Sequence, residues 1–122
     1  MIVAGFGFTT RASVDSLTSA LAATGYAGDV NLLASVGDKA MQPALLDLSE
    51  NTRILISAVT PAALEATETK TQSLISRLLR RTGSVAEAAA LAAAGPGATL
   101  IVTRQTSQDR MATCAIAKGA DT

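Results

Sequence analysis

The stretch Gly83-Ser84-Val85-Ala86-Glu87-Ala88-Ala89-Ala90-Leu91, stopped by Gly95-Pro96-Gly97, constrains this chain most. Alanine is the strongest helix former, and a Gly-Pro-Gly run ends any helix. A helix is therefore predicted over Val85–Ala94, with Gly83-Ser84 at its start and Ser84 as its cap. Ser84 and Glu87 have the spacing of a capping box. With so little side-chain bulk, something must pack closely against this helix. A neighbouring helix, the sheet or a flat ligand would each fit. A capped, close-packed helix explains the stretch without any ligand.

Strand and helix patterns alternate through the rest of the chain. Ile2–Phe6 reads as a buried strand closed by Gly5 and Gly7. Val14, Leu17, Leu21 and Ala22 recur at helical spacing behind an N-cap at Ser13, and Gly25 ends that helix. Val30–Val36 is a second strand. A short helix follows over about Gln42–Leu48, with Pro43 in its first turn. Arg53–Val59 is a third strand, and Thr60-Pro61 begins another helical turn. Thr67–Thr71 reads as a polar loop and Leu74–Arg81 as helical. Thr99–Thr103 and Met111–Ala117 are late strands around a polar loop at Gln105–Arg110. The late pair reads as a hairpin, which would make the sheet mixed. The predicted class is α/β: a single layered domain over residues 1–122, with a central sheet of about five strands flanked by helices.

Composition narrows the function. Of 122 residues, 48% are apolar but only 2% aromatic, so the core rests on Leu, Ile, Val and Ala. Net charge is zero, and Phe6, Phe8 and Tyr26 are the only aromatics, which argues against nucleic acid as a partner. Histidine is absent and Cys114 is the single cysteine. That excludes a histidine-containing triad, an intrachain disulfide and a Cys- or His-based metal site within one chain. No metal and no cofactor are expected. Cys114 sits in an apolar strand and reads as buried and inert. No basic leader precedes the first apolar run, and the longest run, near residues 88–94, is too short to span a bilayer. A cytoplasmic protein with no membrane partner is the expectation.

Four places could carry chemistry. Gly5-Phe6-Gly7-Phe8-Thr9-Thr10-Arg11-Ala12-Ser13 reads as strand, glycine turn and helix start. Backbone N–H groups there, the hydroxyls of Thr9, Thr10 and Ser13, and the Arg11 charge would suit an anion. The spacing matches neither a dinucleotide fingerprint nor a P-loop; a tight, capped turn explains it equally well. The start of the alanine helix, at Gly83, Ser84 and Glu87, is the second place. Arg77, Arg80 and Arg81, with Lys70 nearby, form a basic edge suited to a polycarboxylate or simply to solvent. Asp38 and Lys39 follow the second strand, where ligands of open α/β sheets bind. No catalytic group stands out. Lys39, Asp38 and Glu87 are the candidates for a base, and none has a visible partner in sequence.

Together these segments resemble the CobE/CbiG C-terminal family of cobalamin biosynthesis. The resemblance lies in Gly5-Phe6-Gly7 through Ser13, in Leu33-Ala34-Ser35-Val36-Gly37-Asp38-Lys39-Ala40, in the Thr69–Ser73 loop, in Gly83–Leu91 with Gly95, and in the strands Thr99–Thr103 and Ala112–Ala117. Gly83–Leu91 is its most specific element. Many relatives carry Cys and Arg after the Gly-x-Gly, where this chain has Phe8 and Thr9; its nearest arginine is Arg11. The resemblance implies work on a corrin ring, in the stand-alone CobE form of the aerobic route. The implied partner is a precorrin or corrinoid intermediate, whose acid-edged rim would meet Gly5, Gly7, Thr9, Thr10, Arg11, Ser13, Asp38, Lys39, Ser73, Gly83, Ser84 and Glu87. Binding of that intermediate is the expected function. The alternatives are a precorrin lactone-opening hydrolase like CbiG, and a scaffold for other cobalamin-pathway enzymes.

Overall fold

The computed structural model describes residues 1–36, 42–59, 84–95 and 97–120. Five strands form one mixed sheet: β1 (Ile2–Phe8), β2 (Leu32–Val36), β3 (Ile56–Val59), β4 (Thr99–Thr106) and β5 (Ala112–Lys118). Their order across the sheet is β3-β2-β1-β5-β4. β1, β2 and β3 run parallel, and β5 pairs antiparallel with both β1 and β4. The late strands are thus the expected hairpin, and the mixed layered α/β class holds.

Side-chain alternation assigns the two faces of the sheet. Ala4 and Phe6 of β1, Leu33 of β2 and Cys114 and Ile116 of β5 point to one side. There they pack against α1 (Val14–Ala23) and α2 (Pro43–Thr52) through Leu17, Ala20, Leu21, Leu45 and Leu48. Val3 and Ala34 point to the other side and meet Ala89 of α3 (Val85–Ala94). Ser35, also buried, donates to the Phe6 carbonyl at 2.9 Å, so its hydroxyl is satisfied in place.

Gly5 is where α3 comes closest. A Cβ there would clash with the Ala86 carbonyl oxygen and lie 2.8 Å from Ala90 Cβ. The alanines of α3 and the glycines of β1 are therefore two halves of one close contact between helix and sheet. This corrects the expectation of a turn at Gly5-Phe6-Gly7. β1 continues to Phe8, pairing residue by residue with β5 from Ile2↔Lys118 to Phe8↔Ala112. Bulk is excluded at Gly5 by a neighbour far along the chain, and the strand runs straight through.

Other boundaries moved for local reasons. α2 runs on to Thr52, where the Thr52 hydroxyl donates to Leu48 O at 2.7 Å. Arg53 then closes the helix in the left-handed region, at φ 61°, so β3 begins only at Ile56. β4 extends to Thr106, which shortens the loop expected at Gln105–Arg110. Met1 O accepts a hydrogen bond from Gly119 N–H at 3.0 Å, placing the start of β1 beside the end of β5. No helix among the described residues is long and apolar enough to cross a membrane.

Candidate functional site

At the C-terminal edge of β1, an open cleft of about 360 Å³ lies between the N-terminus of α3 and the β4–β5 hairpin. Gly7 and Phe8 contribute from β1, Thr9 from just after it, and Ser84 and Val85 from the cap and first turn of α3. Arg104, Arg110, Met111, Ala112 and Thr113 complete the lining from the hairpin. This is the edge of the sheet at which open α/β folds bind ligands.

The α3 wall follows from its cap. Ser84 Oγ accepts the Glu87 N–H at 3.4 Å, as the capping spacing predicts. The Glu87 carboxylate crosses to β4 instead of standing ready as a base: its Oε2 accepts the Arg104 N–H at 3.3 Å. β4 slips register against β5 between Val102 and Gln105. Within that irregularity the Arg104 amide turns toward α3, and Glu87, only 6% exposed, receives it. One hydrogen bond thus ties the two walls together.

The hairpin wall is built around Asp109. Its Oδ1 accepts from Ser107 Oγ at 2.6 Å and from Met111 N–H at 3.0 Å, and its Oδ2 accepts from Ser16 Oγ at 2.5 Å. These three donors hold its carboxyl below the usual aspartate range, with the Ser107 hydroxyl the largest cause. Ser13 and Ser16 form a reciprocal capping box at the start of α1, with Ser13 N–H donating to Ser16 Oγ at 3.1 Å. Asp109 thus stands beside the start of α1, bonded to a side chain of its first turn. Thr9 N–H donates to Met111 O at 3.0 Å and pins the hairpin to the end of β1.

Of the residues expected at a ligand, the cleft brings together Gly7, Thr9 and Ser84. Gly5 is buried under α3. Thr10 and Arg11 are exposed and Ser13 is spent on capping, and none of the three is in the lining. Asp38, Lys39, Ser73 and Gly83 fall outside the described residues, as do Lys70, Arg77, Arg80 and Arg81. Arg104 and Arg110 were missed, because only the hairpin brings them to β1. The Ser107-x-Asp109 turn followed by Arg110 was the one available signal. Cys114 is buried, and burial pushes its thiol far above the ordinary range, in keeping with an inert role. Among the described residues no group of His, Cys, Asp and Glu could hold a metal ion.

Among the described residues the lining includes two arginines and no Asp or Glu. Its polar atoms include Thr9, Ser84 and Thr113, whose Oγ1 donates to Gly7 O at 3.2 Å. Phe8, Val85 and Met111 supply apolar surface. Such a site suits an anion carried on an apolar body.

The family model described as Cobalamin synthesis G C-terminus matches residues 2–117. The chain belongs to this family. Two crystal structures of cobalamin proteins are similar to it. The cobalamin biosynthesis protein chiG from Agrobacterium tumefaciens str. C58 is 31% identical, with a TM-score of 0.71, over 99% of this chain and 100% of that one. CobE, a protein from the cobalamin (vitamin B12) biosynthetic pathway, is 33% identical, with a TM-score of 0.68, over 96% of this chain and 89% of that one. No curated protein matches the chain. Membership in the Cobalamin synthesis G C-terminus family places this chain in cobalamin biosynthesis, and the Gly83–Leu91 stretch lies inside the matched region.

Proposed function

We propose that this protein binds a precorrin or corrinoid intermediate by its acid-bearing rim, as a carrier or stabiliser in the aerobic branch of cobalamin synthesis. The observation that carries the reading is the cleft itself: Arg104 and Arg110 line it together with apolar Phe8, Val85 and Met111 at the ligand edge of the sheet. A corrin ring is a broad, flat macrocycle edged with acetate and propionate groups. A cleft of about 360 Å³ is near the lower end for small-molecule sites, so it takes an edge of such a ring and not the whole of it. Two guanidinium groups match two carboxylates, and a bidentate pair with either fixes orientation. Similarity to CobE over most of both chains supports a setting in cobalamin synthesis.

Among the described residues, which do not include the candidate bases Asp38 and Lys39, the groups present suit binding better than lactone hydrolysis. Hydrolysis requires a base near the reacting carbonyl. Glu87 is buried and already accepts the Arg104 amide.

The test is an absorbance titration of the purified protein with hydrogenobyrinic acid and with earlier precorrins. A saturable shift of the corrinoid spectrum, weakened by salt, is expected. Lack of binding to every intermediate tried would sink the reading.

A further inference from the structure

Arg110 occupies a backbone conformation that an arginine has no intrinsic reason to adopt. Its φ is 60°, in the left-handed region where glycine is the ordinary residue. It closes a tight hairpin turn: Arg110 N–H donates to Ser107 O at 3.0 Å and Ser107 N–H to Ala112 O at 2.8 Å. Glycine would make this turn at lower cost, so the residue present trades backbone ease for a side chain that lines the cleft.

Something must hold that conformation. Asp109 is fastened on both sides, to Ser107 and the Met111 amide within the turn and to buried Ser16 of α1. Gln108 N–H adds a second anchor by donating to Ser19 Oγ of α1 at 3.1 Å. Ala112 N–H donates to Ser107 Oγ at 3.1 Å, which locks the return strand. Residues on both sides of Arg110 are thereby fixed to α1 and β5, while Arg110 itself is exposed toward the cleft.

We infer that Asp109 is a positioning residue: by clamping the hairpin to Ser16 and Ser107, it sets Arg110 where the guanidinium meets a carboxylate of the bound ligand. This rests on the corrinoid-binding reading for the identity of the ligand. The clamp itself can be judged without any ligand.

Two measurements separate the two. Amide exchange of residues 107–112 is compared between wild type and Asp109→Ala without ligand. Faster exchange at Arg110 and Met111, with α2 unchanged, is expected; unchanged exchange there overturns the clamp whether or not a corrinoid binds. Binding of hydrogenobyrinic acid is then measured for Asp109→Ala, Arg110→Ala and the double variant. If Asp109 acts through Arg110, each single change weakens binding by about tenfold or more, and adding Asp109→Ala to Arg110→Ala changes little. Equal losses from Asp109→Ala in both backgrounds would overturn the inference. Asp109→Asn, which keeps an acceptor for Ser107 and Met111, should restore most of the affinity. Should Asp109→Ala fail to fold, Ser16→Ala removes the α1 fastening together with the acceptor for Ser13 N–H, and is read the same way with exchange across α1 as its control. Arg110→Gly adds a readout that a purely structural role would not give: a higher melting temperature together with weaker binding. Weaker binding with a lower melting temperature counts against the inference. A wild-type protein that binds no corrinoid refutes the ligand reading alone, and the exchange data still decide the clamp.

Discussion

Glu87 of α3 and Arg104 of β4 are joined through a carboxylate and a backbone amide, 3.3 Å apart, between the two elements that flank the cleft. The acid that sequence spacing marks as half of a capping box thus serves as a cross-brace. Glu87→Gln retains an acceptor and should leave stability within about 1 kcal/mol of wild type, with corrinoid binding intact. Glu87→Ala leaves the Arg104 amide without this acceptor and should cost about 1–3 kcal/mol. Denaturant melts and the absorbance titration measure both; loss of binding in Glu87→Gln at normal stability would return Glu87 to a chemical role.

The contact between Gly5 and α3 gives a second prediction. Gly5→Ala places a Cβ against the Ala86 carbonyl and Ala90, and backbone cannot yield as a flexible side chain would. A loss of roughly 1–3 kcal/mol or more is expected. Gly28→Ala meets no atom within 4 Å and should stay close to wild type. Thermal melts of the pair decide whether α3 packs this tightly.

The basic lining predicts a salt-sensitive site. Arg104→Ala should weaken binding of hydrogenobyrinic acid by about 10- to 100-fold, the range of a hydrogen bond to a charged group. Its dependence on salt should flatten at the same time. A titration at two ionic strengths checks this, and an unchanged affinity would remove Arg104 from the rim contact.

Asp109 gives the pH prediction. Its hydrogen bonds lower the carboxyl in the folded protein relative to the unfolded chain. Such a group stabilises the fold above its unfolded value, near pH 4, and that contribution fades as pH falls through the folded value. The melting-temperature gap between wild type and Asp109→Asn should therefore be full at pH 6 and close below about pH 4. A gap that widens on acidification would contradict the assignment.

Cys114 lies in the core with no exposed surface. In the native protein it should resist alkylation at pH 8 and react promptly once denaturant unfolds the chain. Mass spectrometry of labelled protein reads the outcome.

Local signals carried much of this fold. Ser84 and Gly95 bound α3 where a capping serine and a stopping glycine predict, because both act within one turn of the helix. Ser13 caps α1 for the same reason. Gly5-Phe6-Gly7-Phe8 misled because its meaning is not local. Its glycines look like a turn until α3, some eighty residues later in sequence, is seen lying across them. The site divides along the same line. Thr9 and Ser84 flank helix and strand ends that the pattern reveals, and both reach the cleft. Arg104 arrives through an irregular register and Arg110 through a left-handed turn, and neither is written in hydrophobic periodicity.

The hydrogen bond between Met1 and Gly119 lies at the opposite edge of the sheet from the cleft. A tag, a solid support or a neighbouring domain joined ahead of Met1 would leave on that far side. Attachment by this end presents the cleft outward, so a protein anchored this way could still receive a bulky ligand and hand it on.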